Sequence, residues 1–455
     1  MSSNDRKPRA RGGVLAGSEG LARLRAQAEA LYRAGRLVEL EGVCREILRQ
    51  TPHDAGILYL LGLSLQGKEG DAAAVDVFLE AAARDGRNAV LVLAAANALS
   101  SVGRYPEAIE FFRRFLELQP TSDAACNQIG LLYHVALGRV RDGIGFYRKA
   151  LSIKPDNVEA LNNLGNALQD LGKKRSAAAL YRKAISMKPD FVQAHYNLHA
   201  VLLDDGDPTA AIGVLRDTLR VAPSYPEAKA RLAMLLDLGG QEREAGRLFA
   251  EVETEAGHLS YLIDSWSYVK SHRGPGTRIF AVTLDALRHA FSKAGNPGLI
   301  LEFGVRYGTT LNFIARQTRE PVHGFDSFEG IPEAWKGEER GRYSTYGELP
   351  PVCSNVILHK GWFEETLPVF CATHEGPVRF MNIDCDIYSS TKTVFDCLQD
   401  RIVSGTVIVF DEYLGNPNWR EDEFKAFQEF VAGKGLEYEY LLFSPFSKQA
   451  AVRVK

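Results

Sequence analysis

Apolar positions over the first half of the chain fall into paired helical stripes. In "VEALNNLGNALQDLGKKRSAAALYRKAISMKPD", residues 158–190, Leu161, Gly165 and Leu168 share one helix face. Ala177, Tyr181 and Ala184 share a second, and Pro189 ends the unit. The same frame carries Gly62, Phe78 and Ala81, then Ala96 and Phe112, Gly130 and Tyr147, Ala211 and Leu215, and Ala233 and Phe249. Pro120, Pro155, Pro189 and Pro223 recur every 34 or 35 residues. This period predicts two amphipathic helices per unit, with small residues at the crossings, stacked as six or seven units over residues 20–257. One helix pair cannot bury its apolar face alone, so the units build a solenoid with a concave inner surface.

The pattern changes after a junction, residues 258–278, that closes on Gly-Pro-Gly; with a leading helix it reaches residue 297. From 298 to 455 apolar runs alternate with helical stretches: "LILEF", "VHGFD", "NVILHK", "VRFMNID" and "TVIVFDE". That alternation predicts an α/β domain with a parallel sheet, helices on both faces and ligands at the C-terminal strand edge. The chain is therefore multidomain, an all-α solenoid followed by a Rossmann-like α/β domain.

The candidate chemistry lies where those strands end. The first runs into "EFGVRYGTT", in which Gly304 and Gly308 permit a tight turn and close ligand approach beside Glu302. Asp326 ends the second strand, where an acidic side chain can accept from both ribose hydroxyls of a nucleotide. "NIDCDIYSST" sets Asp384 two residues before Asp386. Alone, that spacing fits a capped helix start, the Asp-x-Asp metal site of a sugar-nucleotide transferase, or one arm of a metal site in a methyltransferase. Tyr343, Tyr346 and Trp335 are candidates to line a substrate mouth or to pack their own loop. Cys385 could serve chemistry. The six cysteines, without a C-x-x-C pair, read as reduced apolar residues rather than a disulfide frame or zinc site.

The repeat frame resembles the tetratricopeptide repeat, which implies a surface for a protein or peptide, or for self-association. Asn163 and Asn197 hold equivalent positions in successive units, where asparagine amides can grip an extended peptide backbone. The ordered series "EFGVRYGTT", "GFDSFEGIPE", "KGWFEETLP", "NIDCDIYSST" and "VIVFDEY" resembles the macrocin O-methyltransferase (TylF-type) family of class I S-adenosylmethionine-dependent enzymes. The resemblance implies that Glu302, Gly304 and Gly308 hold the methionine part of the cofactor, that Asp326 holds its ribose, and that Gly361 and Trp362 border its adenine. It further implies a Mg²⁺ site at Asp384, Asp386, Asp411 and Glu412, although the last pair is Asp-Asp in the common family form. Asp384 and Asp411 then align a hydroxyl acceptor, a sugar or glycosylated small molecule, with His359 a candidate acid–base group. The competing readings are a glycosyltransferase using Asp-x-Asp, and a non-catalytic repeat scaffold carrying a degenerate cofactor fold.

Bulk properties add exclusions. Of 455 residues 45% are apolar and 24% charged, and the net charge is -3, so bulk electrostatics call for neither a nucleic-acid nor a membrane partner. The basic "RKPRAR" lies in an expected disordered tail, residues 1–19. No apolar run reaches the roughly 20 residues of a membrane span, which leads to the expectation of a cytoplasmic protein.

Overall fold

The computed structural model describes residues 12–203 and 208–455; the first eleven residues of the expected tail lie outside them, and a helix begins at Gly12. The chain divides into two compact units that part between Leu132 and Tyr133.

The first unit is a series of antiparallel helix pairs, and its punctuation is local. Pro52 and Pro120 follow helix ends, and two residues after each comes a side chain that opens the next helix. Asp54 accepts from the amide of Ile57 at 3.1 Å, and Ser122 from that of Ala125 at 3.2 Å. Asn157 does the same in the second unit, after Pro155, accepting from Ala160 at 2.7 Å. The small residues sit where helices cross: a Cβ on Gly62 would lie 2.5 Å from the ring of Phe78.

The second unit carries the later repeats and one eight-stranded sheet. Its strands are β1 (Arg278–Ile279), β2 (Leu299–Phe303), β3 (Val322–Asp326), β4 (Val356–Lys360), β5 (Val378–Ile383), β6 (Val407–Phe410), β7 (Tyr438–Ser444) and β8 (Gln449–Val454). The order is β1-β7-β8-β6-β5-β2-β3-β4, and β8 runs antiparallel to both β6 and β7 while the other pairings are parallel. Strand side chains alternate between two cores. Leu301, Phe303, Met381, Ile383, Ile408 and Phe410 enter one, whereas Ile300, Phe380, Val407 and Val409 enter the other. β2 lies between β3 and β5, so the winding reverses there and the strand ends splay into a crevice.

Helix Ser260–His272 ties the repeats to this sheet. Trp266 donates to Asp237 of the last repeats at 2.6 Å, while the Tyr268 hydroxyl meets that of Tyr440 on β7 at 2.7 Å. The core that takes Leu301 and Phe303 also takes Leu232, Leu235 and Leu248 from the repeats, so this part of the array and the sheet pack as one body. Among the described residues no helix is long and apolar enough to cross a membrane.

Candidate active site

A cavity of about 380 Å³ opens at the reversal of the sheet, walled by Gly304, Asp326, Gly361, Asp384, Asp386 and Asp411 among others. Trp362, Tyr343, Cys385 and Glu412 also face it. Five strand ends thus deliver side chains to one space.

Gly304 ends β2 at φ 86°, and a Cβ there would lie 1.7 Å from the carbonyl oxygen of Asp384. The loop after it is held from β3: one Asp326 oxygen accepts from the amides of Val305 at 2.8 Å and Arg306 at 2.7 Å, and the other from Phe328 at 2.6 Å. A carboxylate offers about four acceptor positions, so Asp326 retains one, where the sequence reading called for acceptance from two ribose hydroxyls. Gly361 completes the ring by donating its amide to the Asp326 carbonyl at 3.0 Å. Arg306, Tyr343 and Asp386 line the cavity with φ of 48°, 67° and 65°, a left-handed conformation that costs non-glycine residues energy and gathers at functional sites.

Two expected cofactor residues stand behind this wall. Glu302 is fully buried, accepts from Thr310 at 2.8 Å and Asn382 at 3.3 Å, and is pushed up to about 8 by burial. It braces the turn and does not line the cavity. Gly308 caps helix Thr309–Ala315 and faces a separate cleft beside Tyr307 and Pro350. His359 corrects an expectation outright: it lies on β4 in a ring cluster, 3.1 Å from His323 and stacked 4.5 Å from Phe325, away from the cavity. Burial, with His374 nearby, lowers its pKa.

The carboxylates form a graded set. Burial raises Asp384, Asp386 and Asp411. Asp384 is raised well above the usual range, helped by Asp411 and Asp386; Asp386 reaches about 7, helped by Glu412; Asp411 reaches about 6, with Glu412 pushing up and Gln449 and Lys448 pulling down. Their partners differ as well. Both Glu412 oxygens accept from Lys448, at 3.0 and 3.2 Å, and one Asp411 oxygen accepts from Gln449 at 2.5 Å. Among the described residues no group of three or more His, Cys, Asp or Glu is disposed to hold a metal ion. With Glu412 neutralised by a lysine and Asp411 half committed to an amide, these side chains do not fit the four-ligand Mg²⁺ site. Cys385 meets the Thr391 hydroxyl at 3.4 Å with its thiol pKa raised by burial, which makes it packing rather than a nucleophile. Tyr346 is 68% exposed outside the cavity, and Trp335 pairs with Glu338 in its own loop.

Sequence reasoning passed over Arg306. It lies inside the glycine motif, but its guanidinium stands over the rings of Tyr307 at 5.0 Å and Tyr343 at 5.2 Å and donates to the Ala136 carbonyl at 2.9 Å. Its position between two glycines of the turn was the available signal.

Asn197 donates to Asn162 at 2.9 Å and Asn166 at 3.0 Å, which commits its NH₂ group within the array. Asn163 is half-buried on the preceding unit's first helix.

Comparison with known proteins finds two kinds of domain. A family model described as a methyltransferase domain matches residues 301–413, and tetratricopeptide repeat models match residues 91–122, 136–172 and 162–226. The chain is a tetratricopeptide array joined to a methyltransferase domain. It is 27% identical over 149 residues to 8-demethyl-8-(2,3-dimethoxy-alpha-L-rhamnosyl)-tetracenomycin-C 4'-O-methyltransferase of Streptomyces olivaceus, covering 26% of this chain and 54% of that one. The chain thus spans about half the length of this curated relative. Among solved structures it is similar to a tetratricopeptide repeat protein from Parabacteroides merdae, with a TM-score of 0.44 at 16% identity over 52% of this chain and 94% of that one. It is also similar to MamA, with a TM-score of 0.34 at 20% identity over 36% and 94%.

Proposed function

We propose that the chain is an S-adenosylmethionine-dependent O-methyltransferase acting on a hydroxyl of a sugar or glycosylated small molecule. The observation that carries this reading is the convergence of Gly304, Asp326, Gly361 and Asp411 on one cavity at the reversal of the sheet. The residues fit the cofactor: the glycine turn leaves its backbone open, Asp326 keeps one acceptor position, and Trp362 supplies an aromatic wall. Bound there, S-adenosylmethionine supplies a methyl group on a sulfonium, which departs as S-adenosylhomocysteine. Asp411 takes the proton of the acceptor hydroxyl as the new O–C bond forms, because its pKa near 6 leaves it largely ionised at neutral pH. Asp384, whose pKa burial and the neighbouring Asp411 and Asp386 raise, lines the same cavity. No step passes through Mg²⁺. The repeats of the first unit are left to bind a protein, a peptide or a second copy of the chain, as such arrays do.

The test is methyl transfer from labelled S-adenosylmethionine to a panel of glycosides by the full chain and by Asp411→Asn. Label in the glycoside, lost in the variant while cofactor affinity holds, supports the reading. Absence of cofactor binding by the folded chain would favour the scaffold alternative.

A further inference from the structure

A second cavity, of about 730 Å³, adjoins the first. Its walls come from the repeat helices on one side and the sheet loops on the other, all within the second unit. Arg306 and Asp411 line both cavities, so the candidate base stands at their junction. We propose that this second cavity is the acceptor site and that the repeats supply its specificity, selecting a polyhydroxylated, sugar-like molecule. The proposal rests on the methyltransferase reading and adds to it a place for the acceptor and a role for the repeats.

Three observations carry it. The first is the chemistry of the wall. Asn166, Gln169 and Asn197 present side-chain amides from two successive repeats, and Tyr196 and Phe446 present rings. With the Asn197 NH₂ and the Asn166 and Gln169 oxygens engaged within the array, the Asn197 oxygen is the acceptor and the Asn166 and Gln169 NH₂ groups are the donors for hydroxyls, and flat rings suit the apolar face of a pyranose. A volume between roughly 300 and 1,000 Å³ is that of a small-molecule site.

The second is an unmet acceptor. His199 is only 4% exposed, its Nδ1 is paired with the Tyr196 carbonyl, and its Nε2 has no partner. A ring nitrogen facing a carbonyl must carry the proton, so Nε2 is left as a bare acceptor, itself buried, in a residue that lines the cavity. Burial, reinforced by Arg231, keeps the ring neutral by pulling it down to about 4. An unsatisfied buried acceptor costs stability until a donor such as a ligand hydroxyl meets it. The Arg306 Nε, a donor, is likewise buried without a partner, in a residue that lines both cavities.

The third is rigidity. Arg231 donates to the Pro445 carbonyl at 2.5 Å and stands 5.2 Å over the Phe446 ring, while Lys174 pairs with Asp285 at 3.1 Å. These contacts fix the repeat wall against the sheet domain. The chain also breaks its α-helical regularity in a π-helical turn, Leu132–Ala136, that brings His134 and Val135 to the rim, and such turns recur at functional sites.

The experiment uses the full chain. Calorimetry measures S-adenosylmethionine affinity, and then, in saturating S-adenosylhomocysteine, the affinity of methyl glycosides of neutral hexoses and 6-deoxyhexoses, and of an oligoalanine peptide. Val135 lines the cavity yet is 60% exposed, so Val135→Trp adds bulk without opening the core. The variant is expected to bind S-adenosylmethionine as the parent does and to bind glycosides at least about tenfold more weakly; His199→Phe, which removes the bare acceptor, is expected to act in the same direction. Glycoside binding indifferent to both substitutions would overturn the proposal, as would binding of the peptide with no glycoside bound. Failure of the parent to bind S-adenosylmethionine would instead sink the methyltransferase reading beneath it.

Discussion

Gly304 and Asp384 come from different strands, and a Cβ on Gly304 would lie 1.7 Å from the Asp384 carbonyl oxygen. The contact locks the end of β2 against the end of β5, and with φ at 86° it admits no side chain without moving backbone. Gly304→Ala is therefore expected to lose at least about 2 kcal/mol of stability and to weaken cofactor binding more than tenfold. Denaturant unfolding with parallel calorimetry checks both.

Asp326 organises its turn before it meets any ligand. Asp326→Ala orphans the amides of Val305, Arg306 and Phe328. The expected cost is on the order of 3 kcal/mol of stability, because each buried unmet donor carries a penalty of its own. Asp326→Asn, which retains one acceptor oxygen, should fall between the parent and the alanine variant in both stability and cofactor affinity. Equal stability of all three proteins would remove the bracing role.

Asp386 and Asp411 are raised from 3.8 to about 7 and about 6. The folded chain therefore holds protons that the unfolded chain has released. Their contribution to stability is fully present below about pH 4 and is lost as pH rises through about 6 to 7. Denaturation midpoints of the ligand-free chain across that window should decline, and Asp386→Asn should flatten the decline. Turnover runs the other way, rising as Asp411 loses its proton.

Glu412 acts on that profile through charge. It is the leading charged group that raises both Asp386 and Asp411, while Lys448, which holds it, lowers them. Glu412→Gln is expected to shift the midpoint of the pH–rate curve downward and leave turnover indifferent to EDTA. A metal ligand at this position would give the opposite pattern, with turnover lost in the variant and in EDTA and restored by Mg²⁺.

The elements that sequence made legible are those whose signal is local. The repeats were readable because Pro120, Pro155 and Pro189 end helices and a capping residue follows nearby. The strands β2 to β6 were readable because each apolar run stops at a glycine or acidic residue. The strands "YEYLLFS" and "QAAVRV" close the sheet beyond the last motif, and nothing local marks their antiparallel pairing. His359 misled because a strand-end histidine looks alike whether it faces a cavity or, as here, the rings of Phe325 and Phe370. The carboxylates at Asp384, Asp411 and Glu412 were visible, but Lys448, which neutralises one of them, lies 36 residues further on. Asn197 was found by periodicity, whereas its partners Asn162 and Asn166 depend on how two repeats stack.

The central claim is that the crevice at the reversal of the sheet holds S-adenosylmethionine. Calorimetric titration of the cofactor into the full chain tests it most directly, with Gly304→Ala and Val135→Trp in parallel. One site per chain, weakened by the first substitution and unchanged by the second, is the expected result. A folded parent chain that takes up no cofactor, or one whose affinity ignores Gly304→Ala, would contradict it.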